Sequence, residues 1–230
     1  MKVILMSIRP EYLVKILNGE KTIEIRKTVP IGFVGWVNLY CTLANPYLVY
    51  TDEYIGGRYV EPRWTFLSGY SKEQAYKIFG TWDGDDGIAN GLVVARFWFE
   101  EHKLTCGWRL RGNTGRLAKR TKGEEEMPNK SCLSIDEIVR YAGGENNGVY
   151  GITIKNLEIF DKPMSLGDFY SIQEMRNANY AYYQNEQAVK EIESEGELLN
   201  FILDMEKIDS KKYCRVTKAP QSWMYVEVEE

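Results

Sequence analysis

The opening stretch, MKVILMSIRPEYLVKILNGEKTIEIRKT (Met1–Thr28), constrains the fold more than any other part of the chain. Val3, Leu5 and Ser7 alternate with Ile4, Met6 and Ile8, so both faces of a first strand are largely apolar and the strand is expected to be buried. Pro10 opens a helix at its first turn, where a missing N–H does no harm. Leu13, Ile16 and Leu17 share one face of that helix, and Gly19 closes it. A second strand, Lys21 to Lys27, sets Ile23 and Ile25 on one face and Thr22, Glu24 and Arg26 on the other. Strict alternation puts Lys21 with Ile23, so Lys21 joins the polar row only if it lies in the turn before the strand. The polar row reads either as a solvated Glu24–Arg26 pair, worth little, or as one wall of a site.

Downstream, Trp36 to Thr42 and Leu92 to Phe99 read as strands, the second of them central. Val149 to Phe160 reads as one long strand or two joined at a bulge, and Ser222 to Val228 as the closing strand. Ser71-x-x-Gln74 and Ser134-x-x-Glu137 are capping boxes that predict helices over Lys72–Phe79 and on to about Tyr141. Ser165 is expected to cap a short turn ending near Phe169, and Ser171-x-x-Glu174 and Ser194-x-x-Glu197 predict two further helices. Asp83-Gly84-Asp85-Asp86-Gly87 lacks the spacing and terminal Glu of a calcium loop and reads as a turn.

Ile8-Arg9-Pro10-Glu11-Tyr12 followed by Gly19-Glu20-Lys21-Thr22-Ile23-Glu24-Ile25-Arg26 resembles the opening of the ASCH domain family, within the PUA-like superfamily. Its mark is a G-x-K-x-x-E-x-R strand after the first helix. Three later pieces resemble the same plan: Gly91 to Phe99, Tyr150–Ile154 through Pro163–Leu166, and Ala219-Pro220-Gln221-Ser222-Trp223-Met224-Tyr225. The resemblance implies an α+β fold: a small, mostly antiparallel β-barrel of PUA/ASCH type with flanking helices and large insertions. The pieces reach both ends, so residues 1–230 are expected to form a single such domain, with insertions at about 47–90, 103–131 and 170–212.

The resemblance also implies a cleft between the first helix, the Lys21–Arg26 strand and the C-terminal strand, where RNA or a modified nucleoside binds. Arg9, Lys21, Glu24, Arg26, Gln221, Ser222 and Trp223 are the ligand-binding candidates. Lys21 and Arg26 can meet a phosphate or carbonyl, Glu24 can accept from an exocyclic amine, and Gln221 can do both. Trp223 or Tyr12 could stack on a base.

The alternative is an amidohydrolase acting on N4-acylated cytidine or a related nucleoside, similar to a bacterial branch of the family that uses a Lys and a Thr on this strand and a Glu farther along. Lys21 matches that lysine, but Glu24 stands where the Thr falls; Lys21 and Glu24 are the catalytic candidates of this reading, with an activated water held by Glu24 as the nucleophile. Thr22 is the nearest hydroxyl, and Glu145 or Glu137 the candidate distant acid. A lysine beside Glu24 is expected to stay charged, which does not help it act as a base. A third reading makes the insertions a protein-interaction surface.

The net charge of −4 excludes a generic basic nucleic-acid coat, so any such contact needs a local patch. Arg109, Arg111, Arg116, Lys119, Arg120 and Lys122, among Gly112, Asn113 and Gly115, form the one strongly basic stretch. With no apolar period it is expected to be a mobile loop. It suits an RNA backbone, or it is a solvated loop offset by Glu124, Glu125 and Glu126. The aromatics between Tyr47 and Trp82 can likewise stack on bases or pack their segment onto the core, and the scarcity of interleaved Lys and Arg favours packing. Four scattered cysteines and a lone His102 offer no zinc spacing, and no cofactor or metal is expected. The cysteines read as free thiols in a reducing compartment. With no apolar run of about twenty residues and no secretory leader, the expected location is cytoplasmic.

Overall fold

A computed structural model describes residues 1–30, 32–51, 54–55, 58–59, 63–83, 87–100, 106–110, 117–118, 127–144, 148–171 and 215–228. The elements run β1 (Lys2–Ile8), α1 (Pro10–Leu17), β2 (Ile23–Arg26), β3 (Val34–Cys41), β4 (Tyr47–Thr51), β5 (Tyr54–Ile55), β6 (Arg58–Tyr59) and β7 (Arg63–Leu67). They continue as α2 (Lys72–Phe79), β8 (Gly87–Ile88), β9 (Val93–Glu100), β10 (Cys106–Leu110), β11 (Leu117–Ala118), α3 (Met127–Ser131) and α4 (Ile135–Ala142). The last are β12 (Val149–Thr153), β13 (Lys155–Met164), a 3₁₀ turn at Leu166–Asp168, β14 (Phe169–Ser171) and β15 (Trp223–Val228). The architecture is mixed α+β, mostly strand.

The largest sheet has the order β13-β9-β3-β1-β15-β14, and the second is β11-β10-β12-β2. In the largest sheet β1 runs parallel to β3 and antiparallel to β15. This central place explains its two apolar faces. Ile4, Met6 and Ile8 enter the main core, while Val3 and Leu5 enter a second cluster on the opposite face. Among the described residues the pairings close no barrel.

The stretch expected as one long strand or two is two. β12 pairs with β2, β13 with β9, and Ile154 between them donates its N–H to the Thr22 carbonyl at 2.9 Å. The chain therefore changes sheets at that point. Both capping boxes form as predicted, at Ser71 over Lys72–Phe79 and at Ser134 over Ile135–Ala142.

Among the described side chains of 47–82, Tyr47, Trp64 and Trp82 are buried, while Phe66 and Tyr70 are exposed. Trp64 and Trp82 meet edge to face at 4.7 Å inside the main core, and Tyr50 lies 5.1 Å from Trp64. Asn90 ties this segment down. Its Oδ1 accepts from Leu48 N at 2.7 Å, and its Nδ2 faces the carbonyls of Thr42, Ala44 and Pro46 at 3.2, 2.8 and 3.2 Å.

The basic stretch is not loop throughout. Cys106–Leu110 and Leu117–Ala118 pair antiparallel as strands, with Arg109 opposite Ala118. β10 also pairs with β12, so neighbouring backbone supplies the order that the missing apolar period did not signal. The helices expected after Ser171 and Ser194, the Asp85 and Asp86 turn, and His102 lie outside the described residues. Cys41 and Cys132 are free thiols; the side chains of Cys106 and Cys214 are not described.

Candidate functional site

The turn after α1 decides where Lys21 goes. Gly19 takes φ +75°, and Glu20 N and Lys21 N both donate to the Lys15 carbonyl, at 2.8 and 2.9 Å. This wraps the chain tightly around the helix end. β2 begins only at Ile23, so Lys21 precedes the alternation, and its side chain turns in beside Glu24 rather than following Ile23. Ile23 and Ile25 meanwhile pack against Met127, Ile138 and Val149.

Lys21, Glu24 and Arg26 form a buried charged row. Lys21 Nζ donates to the Ser131 carbonyl at 2.7 Å and lies 3.4 Å from Glu24 Oε2. Glu24 Oε1 lies 3.2 Å from Arg26 Nε, and Arg26 Nη2 donates to the Ser7 carbonyl at 2.6 Å. The Nε–Oε1 contact is an ion pair by distance but is not aligned as a hydrogen bond. Lys21 is 2% exposed. Burial pulls its pKa below the ordinary lysine value, and Glu24, which acts upward, does not make up the difference. Of these two opposed effects on Lys21, desolvation is the larger.

This row is the floor of a cleft of about 580 Å³. Ser7 and Ile8 of β1, Arg9, and Tyr12 of α1 form one side. Leu133, and Glu137 and Tyr141 of α4, form another, with Thr42 and Ala44 at one edge and Ala219, Pro220 and Gln221 at another. The last three arrive because Ser7 N donates to the Ser222 carbonyl at 3.0 Å, which docks the approach to β15 against β1. Tyr12 sits 5.8 Å from Lys21 Nζ. Its pKa is raised by burial first and then by Glu11 and Glu137. Glu137 caps its own helix, accepting from Ser134 N and Oγ at 2.7 and 2.8 Å. Those bonds hold its carboxyl below the usual carboxylate range.

Of the predicted ligand residues, Arg9, Lys21, Glu24, Arg26 and Gln221 come together in the cleft. Ser222 and Trp223 do not line it. Ser222 contributes its carbonyl to Ser7, and Trp223 Nε1 lies 3.3 Å from the Thr28 carbonyl and 3.2 Å from its hydroxyl. Thr22 is exposed and outside the lining. Glu137 lines the cleft; Glu145 is outside the described residues. So are Arg111, Arg116, Lys119, Arg120 and Lys122, and only the backbone of Arg109 is described. Sequence reading did not single out Ser7, Thr42, Leu133 or Tyr141 as site residues. Ser7 did carry a signal, as the one polar side chain among Val3–Ile8.

No family model matches the chain, and no curated protein matches it. Among solved structures, an ASCH protein from Zymomonas mobilis matches with 12% sequence identity and a TM-score of 0.44, over 98% of this chain and 87% of that one. It comes from the family that the opening motifs resemble; at that TM-score it is a likeness and no more.

Proposed function

We propose that the protein binds RNA or a modified nucleoside in this cleft, on a barrel-type core of the ASCH kind. The observation that carries the reading is the floor. Two buried cations and a carboxylate lie at the base of a cavity of about 580 Å³, within the range of roughly 300–1,000 Å³ usual for small-ligand sites. Lys21 and Arg26 supply donors to a carbonyl or phosphate oxygen. Tyr12 supplies a ring face for stacking. Gln221, exposed at the mouth, supplies a donor and an acceptor. The basic residues from Arg109 to Lys122 would follow the backbone of a longer RNA, a role that rests on sequence alone.

The test is calorimetric titration of cytidine, N4-acetylcytidine, uridine and short single-stranded RNA into the wild type and Lys21→Met. Saturable binding should appear in the wild type and fall at least about tenfold in the variant. A folded wild type that binds none of them ends the proposal. Equal binding by the variant removes Lys21 from it.

One observation favours a second reading, the amidohydrolase: burial lowers the Lys21 pKa. A lysine shifted this way can exchange a proton with an attacking water or a departing amine. Water would add to the acyl carbonyl and the N4–acyl bond would break, giving cytidine and a carboxylate. Thr22, exposed outside the lining, supplies no nucleophile for this. Turnover of N4-acetylcytidine that disappears in Lys21→Met would establish the activity; no turnover by folded protein would exclude it for that substrate.

A further inference from the structure

We infer that the ligand presents an anionic, acceptor-rich group to the floor of the cleft, a carboxylate or a phosphate, rather than an amine edge. For the rest of the ligand this rests on the nucleoside-binding reading above.

Charge is the first argument. The Lys21, Glu24 and Arg26 side chains are 1%, 9% and 9% exposed, and the two cations share a single carboxylate. The charges at the mouth do not restore the balance. Arg9 faces Glu11 at 3.8 Å, and Glu137 is exposed and engaged by Ser134. Solvent screens those groups far more than the buried ones. With Lys21 protonated, the floor is one negative charge short.

Hydrogen bonding is the second argument, independent of the first. Glu24 turns one oxygen to each cation, so a ligand amine seeking that carboxylate would sit beside two cations. Among the described residues, Arg26 Nε lacks an aligned acceptor, and Ser7 Oγ and Thr42 Oγ1 are buried without hydrogen-bond partners. The Lys21 ammonium has three hydrogens, and Ser131 and Glu24 account for two directions. Arg26 Nε and the third Lys21 hydrogen can only donate, whereas the two hydroxyls can donate or accept, so the floor suits an acceptor-rich group. Buried polar groups of this kind are normally satisfied. A carboxylate or phosphate supplies both the acceptors and the missing charge, whereas an exocyclic amine adds donors and no charge.

Calorimetry with four probes tests this: uridine, orotic acid (a pyrimidine carboxylate), uridine 5′-monophosphate and inorganic phosphate. At least one of the anionic pyrimidines should bind about tenfold or more tighter than uridine. Which of the two does so distinguishes a carboxylate from a phosphate head group. Lys21→Met should erase the preference, because the floor is then neutral. Glu24→Gln should enlarge it about tenfold while moving uridine less than about twofold. A purely structural role cannot produce effects of opposite sign. Should Glu24→Gln fail to fold, the comparison of wild type with Lys21→Met still decides. Uridine binding as tightly as both anionic pyrimidines overturns the inference and leaves nucleoside binding standing. Phosphate alone binding as tightly as the monophosphate keeps the inference and removes the nucleoside. No binding of any probe overturns both.

Discussion

Lys21 is the residue on which stability and function should separate. Its ammonium is nearly fully buried, yet its carboxylate partner also has Arg26. Lys21→Met therefore removes a desolvated charge without stranding Glu24. The expected change in unfolding free energy lies between zero and about +1 kcal/mol, measured by urea denaturation, since apolar replacement of a buried ion is often neutral or stabilising. The pH dependence follows from the same burial. The folded-state pKa of Lys21 lies below its ordinary value, so in the interval between the two the unfolded chain binds more protons. Wild-type stability should thus gain a component that rises with pH through that interval, up to the ordinary lysine value. The difference in stability between wild type and Lys21→Met, followed against pH, should show that rise; a flat difference would contradict it. Sequence made Glu24 and Arg26 legible, because β2 is regular. It left Lys21 ambiguous, since its direction depends on where the strand starts, which the Gly19 turn sets. Ser7, Thr42 and Tyr141 were not legible as site residues, because they come from three other elements that pack together only in the folded protein.

Among elements, those whose local signals are self-contained were the readable ones. The capping boxes at Ser71 and Ser134 bound their helices closely because the cap and its acceptor lie three residues apart. β10 and β11 escaped notice because their order comes from pairing with β12 and with each other. α3 lies inside a stretch read as an insertion, yet its Ser131 carbonyl holds Lys21 and the Lys130 carbonyl accepts from Thr22 N at 2.8 Å. Asn90 is the comparable tie on the other side of the cleft, since it fixes the turn that carries Thr42 and Ala44. Asn90→Ala leaves three carbonyls and the Leu48 N–H without their partner. It should cost about 3 kcal/mol, read from the urea midpoint. A loss below about 0.5 kcal/mol would mean that the turn holds itself.

For the whole molecule, charge is a matter of place. The chain carries a net charge of −4, while the cleft floor sets two cations against one carboxylate. Net charge at that scale bears on association and solubility; the local excess bears on what the cleft can hold. Among the described residues no helix is long and apolar enough to cross a membrane. The mixed α+β class was legible through the motifs that carry the family resemblance, and the individual strands and helices through their local periods. The partition into two main sheets was not, since it depends on β1 pairing with strands from both ends of the chain. The central claim is that a nucleoside-type ligand touches the Lys21–Glu24–Arg26 floor. The most direct measurement follows the Arg26 Nε–H and Lys21 Nζ resonances in ¹⁵N-labelled protein during titration with uridine 5′-monophosphate. Both should shift together and saturate with the calorimetric isotherm. A saturating isotherm with both resonances unmoved would contradict the claim and send the search for the ligand elsewhere on the molecule.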